Sequence, residues 1–139
     1  MDLTFAIIKP DAVASKKAGA ILARIEQEGF TVRAMRLMHM TKGEAEGFYA
    51  VHKARPFFGA LTDFMSSGPC IVMALEAPEA IARWRTLMGA TDPAKADAGT
   101  LRQAFGESIE RNATHGSDAA ETAAFELGYF FRGLELSSR

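Results

Sequence analysis

Two short runs limit what this chain can build. Phe5-Ala6-Ile7-Ile8 and Cys70 to Leu75 contain no polar side chain. The first stops at Lys9-Pro10-Asp11 and the second follows the turn-forming Ser66-Ser67-Gly68-Pro69. Apolar runs of this length, bounded by turn residues, read as buried strands. Around them the periodicity changes. Ile21, Leu22, Ile25 and Phe30 recur at helical spacing, with Gly29 as a helix end. Thr31 to Met40 sets Val32, Ala34, Met35, Leu37, Met38 and Met40 against Arg33, Arg36 and His39, which predicts a strand with one polar face. Thr41-Lys42-Gly43-Glu44 has the form of a capping box opening a helix through Tyr49. Arg55 to Met65 is amphipathic, with Pro56 early, where a helix tolerates it.

Further along, Pro78 begins a helix through Met88. Gly89 to about Asn112 is poor in apolar residues and holds Gly89, Pro93, Gly99 and Gly106, so it reads largely as loop. A loop that long in a compact fold is functional or disordered. Asp118-Ala119-Ala120-Glu121 predicts a second capping box and a helix through Leu127, and Tyr129-Phe130-Phe131 a terminal strand or docked tail. The order β-α-β-α-α-β-α-loop-α-β predicts an α/β (α+β) sandwich, with helices covering one face of a small sheet.

A chain of 139 residues is expected to form a single domain, residues 1–139, with a real core. The net charge of −1 gives no general attraction to nucleic acid or acidic lipid, so no specific nucleic-acid partner is expected. No apolar run approaches the roughly 18 residues of a membrane span, and the first residues lack the basic flank of a signal peptide. The expected partners therefore include no membrane, and the expected location is cytoplasmic. Cys70, the one cysteine, reads as a buried inert thiol. No His, Cys and carboxylate set has the spacing of a structural zinc site.

An anionic substrate would have to be held by a few placed groups. Asn112-Ala113-Thr114-His115-Gly116-Ser117-Asp118 puts a histidine just before a capped helix, followed by a glycine that permits close backbone approach. Helix N-termini suit phosphate, and a neutral imidazole is a competent nucleophile near pH 7. On these grounds alone His115 is either a nucleophile or a structural hydrogen-bonder at a turn. Lys9-Pro10-Asp11 is likewise either a functional cation at a strand end or a simple turn. Arg85, Thr91, Arg102 and Asn112 lie in or beside the glycine-rich segment, and arginine matches phosphate oxygens bidentately. The segment does not match a Walker phosphate loop. His39 and His52 read as structural.

Taken together, these motifs resemble the nucleoside diphosphate kinase family over nearly the whole chain. Six match in order: Ile8-Lys9-Pro10-Asp11-Ala12-Val13; Tyr49 through Arg55-Pro56-Phe57-Phe58 to Leu61; Ser67-Gly68-Pro69 and Gly89 to Ala94; Ala98-Gly99-Thr100-Leu101-Arg102; Asn112 to Asp118; and Glu126 with Tyr129-Phe130-Phe131. The resemblance implies a ferredoxin-like four-stranded antiparallel sheet with covering helices and a long active-site loop. It also implies transfer of the γ-phosphoryl group from a nucleoside triphosphate, mainly ATP, to nucleoside diphosphates through a phosphohistidine. His115 would be the nucleophile, with Ser117 and Glu126 orienting it. Lys9, Tyr49 and Asn112 would surround the sugar hydroxyl and the transferred group. Arg85, Thr91 and Arg102 would hold the phosphates, and Phe57 and Leu61 would contact the base. Mg2+ would bind mainly to the substrate phosphates, with no dedicated protein ligands. Ribo- and deoxyribonucleotides are the implied substrates and a homo-oligomer, tetramer or hexamer, the implied assembly. Helix geometry alone would carry Glu126 about 12 Å along the axis from Asp118, so its contact with His115 rests on the resemblance. Ala104 departs from an acidic position of the family and Ala119 from a common serine. The rival reading is a binding or regulatory protein on the same fold, which the loss of a transfer residue would favour. None is lost.

Overall fold

The computed structural model describes residues 2–137. Four strands form one sheet: β1 (Asp2–Ile8), β2 (Thr31–Met38), β3 (Cys70–Ala77) and β4 (Thr114–Gly116), in the order β2-β3-β1-β4. Every neighbouring pair is antiparallel, with Ile7 opposite Val72 on one side and His115 on the other. The helices are α1 (Pro10–Ala14), α2 (Ala18–Gln27), α3 (Lys42–Phe48), α4 (Phe58–Met65), α5 (Ala80–Met88), α6 (Leu101–Phe105), α7 (Ala120–Phe130) and α8 (Gly133–Leu136). This is the ferredoxin-like arrangement implied above, with α3 and α4 inserted between β2 and β3. No helix among the described residues is long and apolar enough to cross a membrane.

The helices cover both faces of the sheet, not one as expected. Alternate residues of the central strands point to opposite faces. Ala6, Ile8, Met73 and Leu75 join Ile21, Ile25, Trp84 and Met88 in one core. Phe5, Ile7, Val72 and Ala74 join Phe48, Phe64, Met65 and Leu127 in the other. That two-sided burial is why Phe5–Ile8 and Cys70–Leu75, the runs at the centre of the sheet, lack polar side chains: each position meets a core. Cys70 is buried among them, and burial pushes its thiol up to about 11, so the inert reading holds.

Local signals account for most boundaries. The Thr41–Glu44 capping box forms, with Thr41 Oγ1 accepting from the Glu44 amide at 3.0 Å and Glu44 Oε1 from the Thr41 amide at 2.8 Å. Gly29 follows α2 at φ +91°. Helix α4 starts at Phe58, beyond Pro56, and α5 at Ala80, beyond Pro78. The terminal strand does not form: Tyr129 and Phe130 are the last turn of α7 and Phe131 follows it, while all three pack on the second core, as the docked-tail alternative expects. The fourth strand is the three-residue Thr114–Gly116, too short and polar to alternate. The box at Asp118 also fails: Thr122 Oγ1, not Glu121, accepts from the amides of Asp118 and Ala119, at 3.1 and 2.9 Å. The glycine-rich segment 89–112 is not all loop, since it contains α6, whose cap Thr100 accepts from the Gln103 amide at 3.3 Å.

Candidate active site

His115 sits in the middle of β4, and its backbone is locked from below. Trp84 Nε1 donates to the His115 carbonyl at 3.1 Å. Gly116 must be glycine here, because a Cβ would lie 2.5 Å from the Trp84 ring. The imidazole projects to the opposite side, edge-on to Phe48 and Tyr49 with ring centres 5.4 and 6.1 Å away. These rings leave it little freedom to rotate. His115 Nε2 lies 3.1 Å from Glu126 Oε1, on α7. The same oxygen accepts from Ser117 Oγ at 2.8 Å, and Ser117 Oγ in turn accepts from the Phe5 amide at 3.4 Å. Glu126 reaches His115 because α7 folds back over β1 instead of leading away from it.

An ionised carboxylate only accepts hydrogen bonds. The proton shared with Glu126 therefore belongs to Nε2, which leaves the lone pair on Nδ1. A histidine held in one tautomer by a carboxylate is oriented to use its other nitrogen.

Lys9 follows β1 directly and is only 7% exposed. Its Nζ donates to Asn112 Oδ1 at 2.9 Å and to the Glu110 carbonyl at 3.2 Å. Burial lowers the Lys9 ammonium to about 8; Asp11 opposes that fall, Arg102 adds to it, and Glu110 opposes it. Asn112 passes the chain of contacts on, donating from Nδ2 to the Thr91 carbonyl at 3.1 Å. Arg102, on α6, donates to the carbonyls of Gly89 at 3.1 Å and Thr114 at 2.9 Å. Burial and then the charge of Arg85 bring its guanidinium down to about 10, so it stays charged at neutral pH. Gly89, at φ +85°, packs against Thr100, from whose side chain a Cβ would lie only 2.6 Å. Arg85, in the last turn of α5, pairs with Asp118 at 2.8 Å where both side chains are exposed.

These groups meet at one cleft of about 330 Å3. Tyr49, Phe57, Leu61, Arg85, Thr91, Arg102, His115 and Glu126 line it. Lys9, Asn112 and Ser117 do not; they are buried and, through Thr91 and Glu126, brace its walls. Burial drives the Tyr49 phenol well above its ordinary range, so it remains a neutral hydroxyl. A larger cavity of about 530 Å3 lies between Glu28, Arg83 and Asp97, but none of the predicted site residues faces it.

Sequence reasoning missed several wall residues: Phe48, Val51, His52, Asp118 and Thr122. His52 follows Tyr49 by three residues, which places it on the same helical face. Its ring lies 5.6 Å from that of Phe57, so it stands on the cleft wall. His39 does serve the frame, with Nε2 2.7 Å from the Ser66 carbonyl.

A family model described as "Nucleoside diphosphate kinase" matches residues 2–136. A relative of that name from Desulfotalea psychrophila is 65% identical, covering 98% of this chain and 99% of its own. Another from Syntrophotalea carbinolica is 62% identical with the same coverage. Among solved structures, the nucleoside diphosphate kinase of Aquifex aeolicus superposes with a TM-score of 0.95 at 41% identity, covering 98% of this chain and 99% of that one. The halophilic nucleoside diphosphate kinase of Halobacterium salinarum, solved in complex with CDP, gives 0.94 at 35% identity, covering 99% and 92%.

Proposed function

The chain belongs to the nucleoside diphosphate kinase family, and from that premise we propose that His115 Nδ1 is the atom that carries the phosphoryl group. The activity itself is that of the family: the terminal phosphoryl group of a nucleoside triphosphate passes to a nucleoside diphosphate. The observation that carries the assignment is the Nε2 contact with Glu126, which leaves Nδ1 free at the cleft wall.

In the first half-reaction the Nδ1 lone pair attacks the γ-phosphorus. The N–P bond forms as the bond from phosphorus to the β,γ-bridging oxygen breaks, and the diphosphate leaves. The second half-reaction reverses these steps with an oxygen of the acceptor's β-phosphate. As positive charge builds on the imidazole, Glu126 is already in contact to balance it. Phosphoryl transfer depends mainly on positioning and charge stabilisation. Arg85, Arg102 and Thr91 hold the phosphates in this reading, Lys9 and Asn112 serve the transferred group and sugar hydroxyl with Tyr49, and Phe57 and Leu61 bear on the base.

Mg2+ is the proposed cofactor, and the donor set fits an ion carried by the substrate. The carboxylates on the cleft wall, Glu126 and Asp118, are engaged by His115, Ser117 and Arg85. Phosphate oxygens would hold the ion, which supplies positive charge at the transferring group. The chain is proposed to act as one domain, in the cytoplasm with the nucleotide pools it serves. It would accept ribo- and deoxyribonucleotides as a tetramer or hexamer. Supporting the assembly, β2 is an edge strand whose Met35 and Leu37 are 53% and 65% exposed. An unpaired edge carrying exposed apolar side chains favours pairing with another chain.

A coupled assay of ATP-to-GDP transfer tests the site. Wild type should turn over and His115→Ala should fall to background. Retained turnover in His115→Ala would remove His115 from the mechanism.

A further inference from the structure

Asp11 plays no part in the scheme above, yet it is buried beside it. It lies in the first turn of α1, and its Oδ2 accepts the Ala113 amide at 3.1 Å. The Lys9 amide donates to the Ala113 carbonyl at 2.8 Å. The Ala113 residue, fully buried at φ +73°, is thus gripped through both its amide and its carbonyl by the segment that ends β1. Ala113 joins Asn112, which holds the Lys9 ammonium, to β4, which carries His115. Left-handed backbone at a residue with a Cβ persists only when its surroundings enforce it.

A neutral acceptor would satisfy that amide. A carboxylate brings in addition a charge that is costly to bury, and Asp11 Oδ1 is buried with no hydrogen-bond partner among the described residues. The charge has a nearby use. Lys9 is two residues away, buried, and faces Arg102 from α6 and Glu110 from the preceding loop. Arg111 lies over the same Phe64 ring as Lys9. Burial and Arg102 both favour a neutral Lys9; Asp11 is the largest influence against them.

We propose that Asp11 is a positioning residue of the transfer reaction: its carboxylate holds the Ala113 turn in register with β4, and its negative charge keeps the ammonium of Lys9 charged in the buried site. The inference rests on the reading of Lys9 as a group that serves the transferred phosphoryl.

Asp11→Asn separates the two roles, because it keeps an oxygen for the Ala113 amide and removes the charge. The experiment is kcat/KM for MgADP against pH in wild type, Asp11→Asn, Asp11→Ala and Lys9→Met. Asp11→Asn should keep its melting temperature near wild type and shift the high-pH limb down by about half a pH unit or more. Asp11→Ala should shift the limb likewise and also lower kcat, on the order of tenfold or more, because a loosened turn misplaces the reacting groups. A high-pH limb in folded Asp11→Asn that matches wild type overturns the proposal. If Asp11→Asn does not fold, Asp11→Glu is read instead. It keeps the charge and displaces the acceptor, so lower kcat with an unmoved limb supports the proposal, and any other pattern overturns it. Lys9→Met isolates the underlying reading: full activity there would remove Lys9 from the mechanism, whatever Asp11 does.

Discussion

At the inner wall of the cleft, Arg102 and, buried behind it, Lys9 and Asn112 are held by backbone carbonyls and by one another, with contacts of 2.9 to 3.2 Å. At the mouth, Arg85 is met by a single exposed carboxylate, and Phe57 stands 49% exposed beside His52. Both ends present cations, but the inner groups are each held by two hydrogen bonds while Arg85 has one exposed ion pair. The difference follows the chemistry. The phosphoryl group must be placed to within a fraction of an ångström of the nucleophile, whereas a base that only stacks can be held loosely. With the proposed roles, a firmly held inner end and a looser mouth would read phosphates closely and bases hardly at all.

Arg102→Ala offers the largest break in that contrast. Removing a preorganised charge contact of this kind costs about 3 to 4 kcal/mol in the transition state, or a hundredfold or more in rate. Turnover should fall by that factor while circular dichroism stays native. An effect below about threefold with an unchanged melting temperature would make the inner end no more critical than ordinary surface.

Acidity provides the next test. In the role proposed for it Lys9 acts as a cation, and burial lowers its ammonium to about 8 in the folded protein. Initial rates at low substrate should therefore decline as pH rises through about 8, approaching tenfold per unit at the steepest. The stability effect has the opposite sense. The folded value is below the ordinary 10.5, so between about 8 and 10.5 the unfolded chain binds more protons. Stability contributed by this group therefore rises across that window and is lowest below it. A flat rate profile to pH 9.5 would show that the buried ammonium is not needed.

Base preference probes the mouth. Stacking on an aromatic face is worth on the order of 1 to 3 kcal/mol and tolerates any base. Values of kcat/KM for ADP, GDP, CDP, UDP and a deoxynucleoside diphosphate should fall within about tenfold, purines ahead, equivalent to about 1.4 kcal/mol. The His52 ring lies against Phe57 on that wall. A thousandfold preference for one base, abolished in His52→Ala, would mean that the mouth reads a base edge and is not tolerant. The smallest effect should come from Asp118→Asn. Its partner Arg85 is half exposed, and such surface pairs contribute about 0 to 1 kcal/mol. A loss well above that in urea unfolding would show the mouth to be as rigidly built as the interior.

Legibility in the sequence divides along a related line. The long apolar strands and the Thr41 capping box announce themselves locally, and β1, β3 and α3 form where the pattern predicts. The same runs carried a further signal, since strands without polar alternation have both faces covered, and reading it would have placed helices on both sides of the sheet. Thr114–Gly116 could not be read in this way. It is a strand only because Ala6, Ile7 and Ile8 pair with it, a tertiary fact with no local trace. The Glu126 contact is of the same type: it depends on α7 doubling back, which axial spacing does not encode. His52 and Asp118 lay beside motifs that were read, but their side chains serve the cleft through the three-dimensional arrangement. Asp118 pairs with Arg85 instead of capping α7, and Thr122, not Glu121, accepts from the Asp118 amide.

The central claim is that His115 bears the phosphoryl group between two half-reactions. It is tested most directly by mixing the protein with γ-labelled ATP and Mg2+ in the absence of any acceptor diphosphate. The account predicts a stoichiometric phosphoenzyme whose label is lost in acid, survives base, maps to His115 and is discharged by added GDP as GTP. Label recovered on serine, or full labelling of a His115→Ala variant, would contradict it.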